Sequence, residues 1–295
     1  MDKHQPEDTP RQGSSSLTAD ELLQHYAAGV RDFRSIRLVS GTLEGQDLRE
    51  ANFRQADLSR MNLQDALLTG VNFREARLIG ANCNRANLTL ANLIGADLTD
   101  TSLIAANLAE AGMRSIHLLR TNLTQADLRD ANLNEASFDQ VNLQNAILSE
   151  ASLSRAKMLG VNLSQASLEH ANLTSALMNG IVLERANMAG AILNGATLEG
   201  ADLREVDLSR AKLTGTNLVN VNLTGANLRG ANLSWSSLRG ANLRGATLYR
   251  TQLSWSNLSS ADLSEVVMIN AKVNYTNFRH AKLTNAVLPN GITAD

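Results

Sequence analysis

Large apolar side chains recur at every fifth residue from Phe33 to Leu288, and no insertion shifts the phase. Forty of the 52 positions on this beat are Leu, and the other twelve are Phe, Met, Cys or Val. Two residues before the beat stands a small residue, Ala in 32 of the 48 positions from Ala51 to Ala286. Between the two sits mostly Asn or Asp, as in Ala91-Asn92-Leu93. Apolar residues two apart point to the same side of an extended segment, so each triplet predicts a short strand with its apolar side inward. The two residues that remain must turn the corner. Fourteen of the 19 Gly occupy the second of them, where a turn requiring positive φ costs Gly almost nothing.

A fixed internal period in 295 residues points to one elongated solenoid rather than separate globular domains. Sorted by a 20-residue period, the column of small positions running from Met61 to Ala281 holds 7 non-Ala residues in 12, whereas the other three columns hold 9 in 36. Phe33, Phe53 and Phe73 share the same spacing. Four quintets per coil, a square cross-section, is therefore expected. About 13 coils at the ~4.8 Å spacing of neighbouring strands give a rod of roughly 60 Å.

The ends break the pattern. Residues 1–16 are polar, with Pro6 and Pro10, and read as a disordered tail. In residues 17–32, Thr18 followed by Glu21 forms a capping box, and Leu22, Leu23 and Tyr26 make an apolar stripe. Gly29 is placed to end the helix. A short amphipathic helix here would cap the open end of the solenoid, the alternative being an interaction helix. The repeat then occupies 33–291 and stops at Leu288-Pro289-Asn290-Gly291, leaving 292–295 as a stub.

The quintets resemble the A(D/N)LXX motif of the pentapeptide-repeat family over about 260 of the 295 residues. The resemblance implies an all-β fold, a right-handed quadrilateral parallel β-helix, with the opening helix similar to the N-terminal cap of cyanobacterial members. It also implies a binding protein rather than an enzyme. Topoisomerase-protecting DNA mimics and developmental regulators or adaptors are the functions known in that family. Some members pair through their C-terminal coils, so a homodimer through this end is one expectation. Blunting of the end by Pro289 and the tail alone is the other.

Composition narrows the function further. The single Cys83 falls on the beat and reads as a small buried hydrophobe, and no intramolecular disulfide can form. Without an apolar leader or a run near the ~18 apolar residues of a membrane span, a soluble cytoplasmic protein is expected. The five His are scattered, so no metal cluster is expected, and no catalytic motif, cofactor fingerprint or inserted loop offers an active site. The chain reads as a non-enzyme without cofactors.

Net charge is −2 overall, but the last 88 residues carry nine basic groups against three acidic ones, net +6, which leaves −8 on residues 1–207. A duplex mimic needs a dense negative face, and Arg74, Arg77, Arg85, Arg114, Arg120, Arg155 and Arg185 interrupt it. Trp235, Trp255 and Tyr275 lie 20 residues apart in the corner position and should stack on one outer face. Such a ladder is either cross-strand packing or the centre of a partner-binding surface. With Arg229, Arg239, Arg244 and Arg250 around it, it forms the candidate site for an unidentified protein partner. A nucleic-acid-related role, as mimic of DNA or direct binder of an anionic partner, is the alternative.

Overall fold

The structure, a computed structural model, describes residues 16–294. Numbering each quintet so that the small residue is first and the beat third, the second residue pairs in parallel with the residue 20 further on. Asp32 pairs with Asn52, Asn52 with Asn72, and so on as far as Val267 with Val287. Four quintets therefore close one coil, which has four sides and four corners. Extended segments longer than one bridge occur at β1 (His117–Leu119), β2 (Ser137–Asp139) and β3 (Lys157–Leu159), joined in parallel in that order.

Every backbone N–H of a typical quintet has a partner, as burial of a polar backbone demands. In residues 51–55, Asn52 N–H donates back to Arg31 O (2.7 Å), while Phe53 and Gln55 donate forward to Asn72 O (2.8 Å) and Arg74 O (2.9 Å). Ala51 N–H closes the corner behind it onto Leu48 O (3.1 Å). The fifth donor, Arg54 N–H, goes to the side-chain Oδ1 of Asn52 at 3.2 Å. The Asn or Asp of the motif is thus a local cap for the N–H two residues on, a bond that short polar side chains make readily. At four quintets with Ser, Thr or Lys in that position, an Asn one coil earlier supplies the acceptor. Asn84 serves Ile104, Asn134 serves Ser154, Asn179 serves Glu199 and Asn194 serves Thr214, at 2.9–3.2 Å.

Positive φ at the fifth residue is general, not confined to Gly: Gln55 has 59°, Arg85 56° and Gly95 67°. With only the fifth residue left-handed, the corner has the type II pattern. That conformation costs an L-residue about 1–2 kcal/mol, and the hydrogen bond from its N–H to the next coil offsets it. At Gly190 a Cβ would also lie 2.4 Å from Nδ1 of His170, whose exposed side chain would have to swing aside. The first residue is small because it closes the corner: the closing bond is 3.0 Å at Ala231 but 3.3–3.4 Å at Val206, Val221 and Val266, although Val71 keeps 3.1 Å. Before Val141 and Val161 the chain is extended instead, as β2 and β3.

First and third residues of all coils fill one continuous core. Phe33, Phe53 and Phe73 stack within it at 5.5 Å between successive rings. Helix α1 (Ala19–Ala27) begins with both capping-box bonds between Thr18 and Glu21. Glu21 consequently titrates below the ordinary carboxylate range, chiefly through the hydrogen bond from Thr18 N–H. Gly29 (φ 92°) and Val30 close its last turn by donating to Tyr26 O and His25 O, both at 3.0 Å. Leu22 is fully buried, and Leu17, Ala19, Leu23 and Tyr26 pack against the core.

Two boundaries differ from the sequence reading. The tail reading covered residues 1–16, of which 1–15 lie outside the described residues; Ser16 bridges Arg37, and Leu17 N–H reaches Arg37 O at 3.3 Å. The stub reading covered 292–295, of which 295 lies outside the described residues. Residues 292–294 instead fold back so that Thr293 pairs antiparallel with Val287, and Leu288 N–H donates to Ile292 O at 2.8 Å. Pro289-Asn290-Gly291 supplies the turn rather than a stop, with Gly291 at φ 84°. The hairpin covers one side of the last coil. Beside it Met268, Val273, Phe278, Leu283, Leu288 and Pro289 line an apolar cavity of about 210 Å³.

Candidate partner-binding surface

Registry at 20 residues places the fifth residues of successive coils in one outward column, and in one column three of them are aromatic. Trp235 and Trp255 stack at 5.0 Å with 2° between planes, and Trp255 and Tyr275 at 4.2 Å with 18°. They stay 63%, 49% and 76% exposed, among the most exposed large apolar side chains of the rod. Left-handed φ values of 63°, 63° and 57° throw the rings off the corner into solvent. Beneath them the first-residue column changes from Ala196 to Thr216, Ser236, Ser256 and Thr276. These hydroxyls donate to main-chain carbonyls of the beat: Thr216 to Leu193 and Leu213, Ser236 to Leu213, Ser256 and Thr276 to Leu253. The corner that carries the ladder is thereby fastened to the coil beneath it. Sequence reasoning counted these four only as small residues, although their 20-residue spacing matched that of the ladder.

The four arginines expected around the ladder do not converge on it. Arg229 and Arg250 stand on the neighbouring corner, with their guanidinium groups 4.6 Å and 5.0 Å from the Tyr249 ring centre. Arg239 lies one corner away on the other side. Arg244 is a correction: two quintets from Trp235, it occupies the opposite corner, and it is tied to Glu265 at 2.7 Å. A spacing of five residues moves a side chain by a quarter turn, so closeness in sequence is not closeness in space.

Elsewhere on the rod several arginines pair with carboxylates one coil away: Arg85 with Asp65 and Arg120 with Asp100 at 2.7 Å, Arg185 with Glu205 at 2.8 Å. Hydrogen bonds from Arg85 and Arg120 hold the Asp65 and Asp100 carboxyls below their ordinary range. Within one quintet, hydrogen bonding from Arg49 brings Asp47 down to about 2. Such exposed pairs are screened by solvent and add little stability, but they set charges of opposite sign side by side along the outward columns. Cys83 is buried, and desolvation pushes its thiol up to about 12, far from the reactive range. Among the described residues no group of three or more His, Cys, Asp or Glu is arranged to hold a metal ion, and no helix is long and apolar enough to cross a membrane. Of the five His, His4 lies outside the described residues.

A family model for pentapeptide repeats matches the chain in overlapping stretches that run from residue 32 to 285. The chain belongs to the pentapeptide repeat family. Membership makes this solenoid a right-handed β-helix of the family's repeat-scaffold type. Among solved structures the chain is similar to HetL, a pentapeptide repeat protein involved in heterocyst differentiation regulation in the cyanobacterium Nostoc sp. strain PCC 7120. Identity there is 28% over 94% of this chain and 100% of HetL, with a TM-score of 0.24. It is also similar to a pentapeptide repeat protein of the Arabidopsis thaliana thylakoid lumen, at 29% identity over 37% of this chain and 73% of that one, TM-score 0.33. A third, alr5209 from Nostoc PCC 7120, is 32% identical over 34% of this chain and 84% of its own, TM-score 0.23. No curated protein matches the chain.

Proposed function

We propose that this pentapeptide-repeat protein is a non-enzymatic interaction rod of about 13 coils, closed at its N-terminal end by α1, that binds a protein partner through its aromatic ladder. The observation that carries the reading is the exposure of Trp235, Trp255 and Tyr275 on one braced corner. Exposed aromatic rings of this size are costly to hydrate and enriched at binding hot spots. The triple substitution Trp235→Ala, Trp255→Ala, Tyr275→Ala tests it. Partner capture should fall by about tenfold or more, the scale of one to two hot-spot residues, while the melting temperature changes little. Unchanged capture with a collapsed melting temperature would make the ladder a structural staple only.

Cytoplasmic location is part of the proposal and rests on a lone buried cysteine in place of a disulfide framework. So is a homodimer through the C-terminal coils, supported by the apolar cavity that Val273, Phe278 and Leu283 leave at that end. Light scattering at tens of micromolar protein should return twice the 31.8 kDa chain mass. Repeating capture after nuclease treatment separates this protein-binding reading from the nucleic-acid alternative, which the net +6 of the last 88 residues favours.

A further inference from the structure

On the corner next to the aromatic ladder, one outward column reads Gly190, Arg210, Gly230, Arg250, Asn270, and the column beside it reads Ala189, Ser209, Arg229, Tyr249, Ile269. Arg210, Gly230, Arg250 and Arg229, with Ser209 and Asn227, line a cleft of about 460 Å³. Gly230 is the gap in it. A Cβ at 230 would meet only the Arg210 side chain, at 3.9 Å. Tyr249 lies under Arg229 and Arg250 and fixes the direction of their planar groups.

Among the described residues no carboxylate comes within ion-pair distance of any of these three arginines, unlike Arg185 or Arg244, each held by a glutamate one coil on. The nearest acidic side chain along the chain, Asp207, is occupied by Ser209 N–H at 2.8 Å and Asn227 Nδ2 at 3.1 Å. Three cations therefore surround one corner position that carries no side chain.

We propose that the notch formed by Arg210, Gly230, Arg250 and Arg229 binds a phosphorylated side chain of the partner protein. This rests on the interaction-rod reading above and names the chemistry of its partner. A phosphate monoester carries about −1.5 to −2 charge and three acceptor oxygens, which suits three forked donors better than a single carboxylate does. Arg210 and Arg250 stand two coils apart, roughly 10 Å along the axis, so a group held between them sits level with Gly230. The charge is a point and not a track, because Gly190 and Ala189 end it on one side and Asn270 and Ile269 on the other. A nucleic-acid backbone would need cations continuing along the rod. Lys212 lies on the side between the notch and the ladder corner, so one peptide crossing that side can reach both anchors.

The test is calorimetric titration of the full chain at low salt with O-phospho-L-serine, L-glutamate and a short oligothymidylate. Two variants accompany it: Gly230→Glu, which places an acid in the notch as Glu205 is placed beside Arg185, and the pair Arg229→Gln, Arg250→Gln. Phosphoserine should bind the unaltered chain about tenfold more tightly than glutamate, and both variants should lose about tenfold or more of that affinity with melting temperatures held. Equal affinity for glutamate overturns the proposal, as does phosphoserine binding that survives in the variants. Tighter binding of oligothymidylate, lost in the same variants, would assign the notch to nucleic acid and also overturn it. The triple aromatic variant should bind phosphoserine normally, so a failed notch and a failed ladder give different results.

Discussion

Deleting residues 1–30 is expected to leave a chain that aggregates at concentrations where the full chain stays dispersed. Leu22 is fully buried in the same core as the first coil, and Leu17, Ala19, Leu23 and Tyr26 pack against that core. Each Leu-sized side chain so placed contributes roughly 1.5–3 kcal/mol by leaving water. The Tyr26 hydroxyl donates to Arg49 O at 2.9 Å, and Ser16 and Leu17 pair with Arg37, so polar groups of the first coil lose partners as well. What remains is an apolar coil end ringed by unpaired strand edge, a template for association. Size exclusion with light scattering reads the outcome. A truncated chain that elutes as one species and melts like the full one would show that α1 is not the cap.

Replacing Phe53 with Ala is expected to cost about 3–5 kcal/mol. The ring is 1% exposed and lies between Phe33 and Phe73 at 5.5 Å on either side, so its removal leaves a void that neighbouring coils, held by ladder bonds at 2.7–2.9 Å, cannot close. Trp255→Ala removes a larger ring from an equally regular stack, yet it should cost only about 0.5–1.5 kcal/mol, because that ring is already half in water. Denaturant unfolding of both variants compares them. In a solenoid each coil touches only its neighbours, so hydrogen exchange should show the Phe53 loss concentrated around residues 33–73. Equal destabilisation by the two substitutions would mean that the outer ladder belongs to the structural core.

Much of this was legible from spacing. A period of five with a 20-residue superperiod states which residues face inward and which stack, because every coil repeats the same backbone. Hence the Phe column, the core and the stacking of Trp235, Trp255 and Tyr275 could be read before any coordinate. The start of α1 was equally legible, since the Thr18 and Glu21 bonds span three residues and need no distant partner. The share of Asn at the second position was visible too. Its role as acceptor for the N–H two residues on was not read from it.

Only the tertiary structure decided the rest. Asn84, Asn134, Asn179 and Asn194 occupy an ordinary corner position in sequence, and they become acceptors only because the coil above lacks an Asn or Asp of its own. Arg229, Arg239, Arg244 and Arg250 are near neighbours along the chain and stand on three different corners, since five residues turn the chain by a quarter. Arg210 and Arg250 share a column that the superperiod could have given, but the turn of Arg229 and Arg250 onto Tyr249 is a matter of side-chain rotamer. The chain ends carry no phase, so nothing periodic foretold that Ser16 would add to the first coil or that Thr293 would return antiparallel to Val287. Repetition fixes whatever each coil does alike, whereas side-chain pairing and the ends depend on which neighbour is in reach.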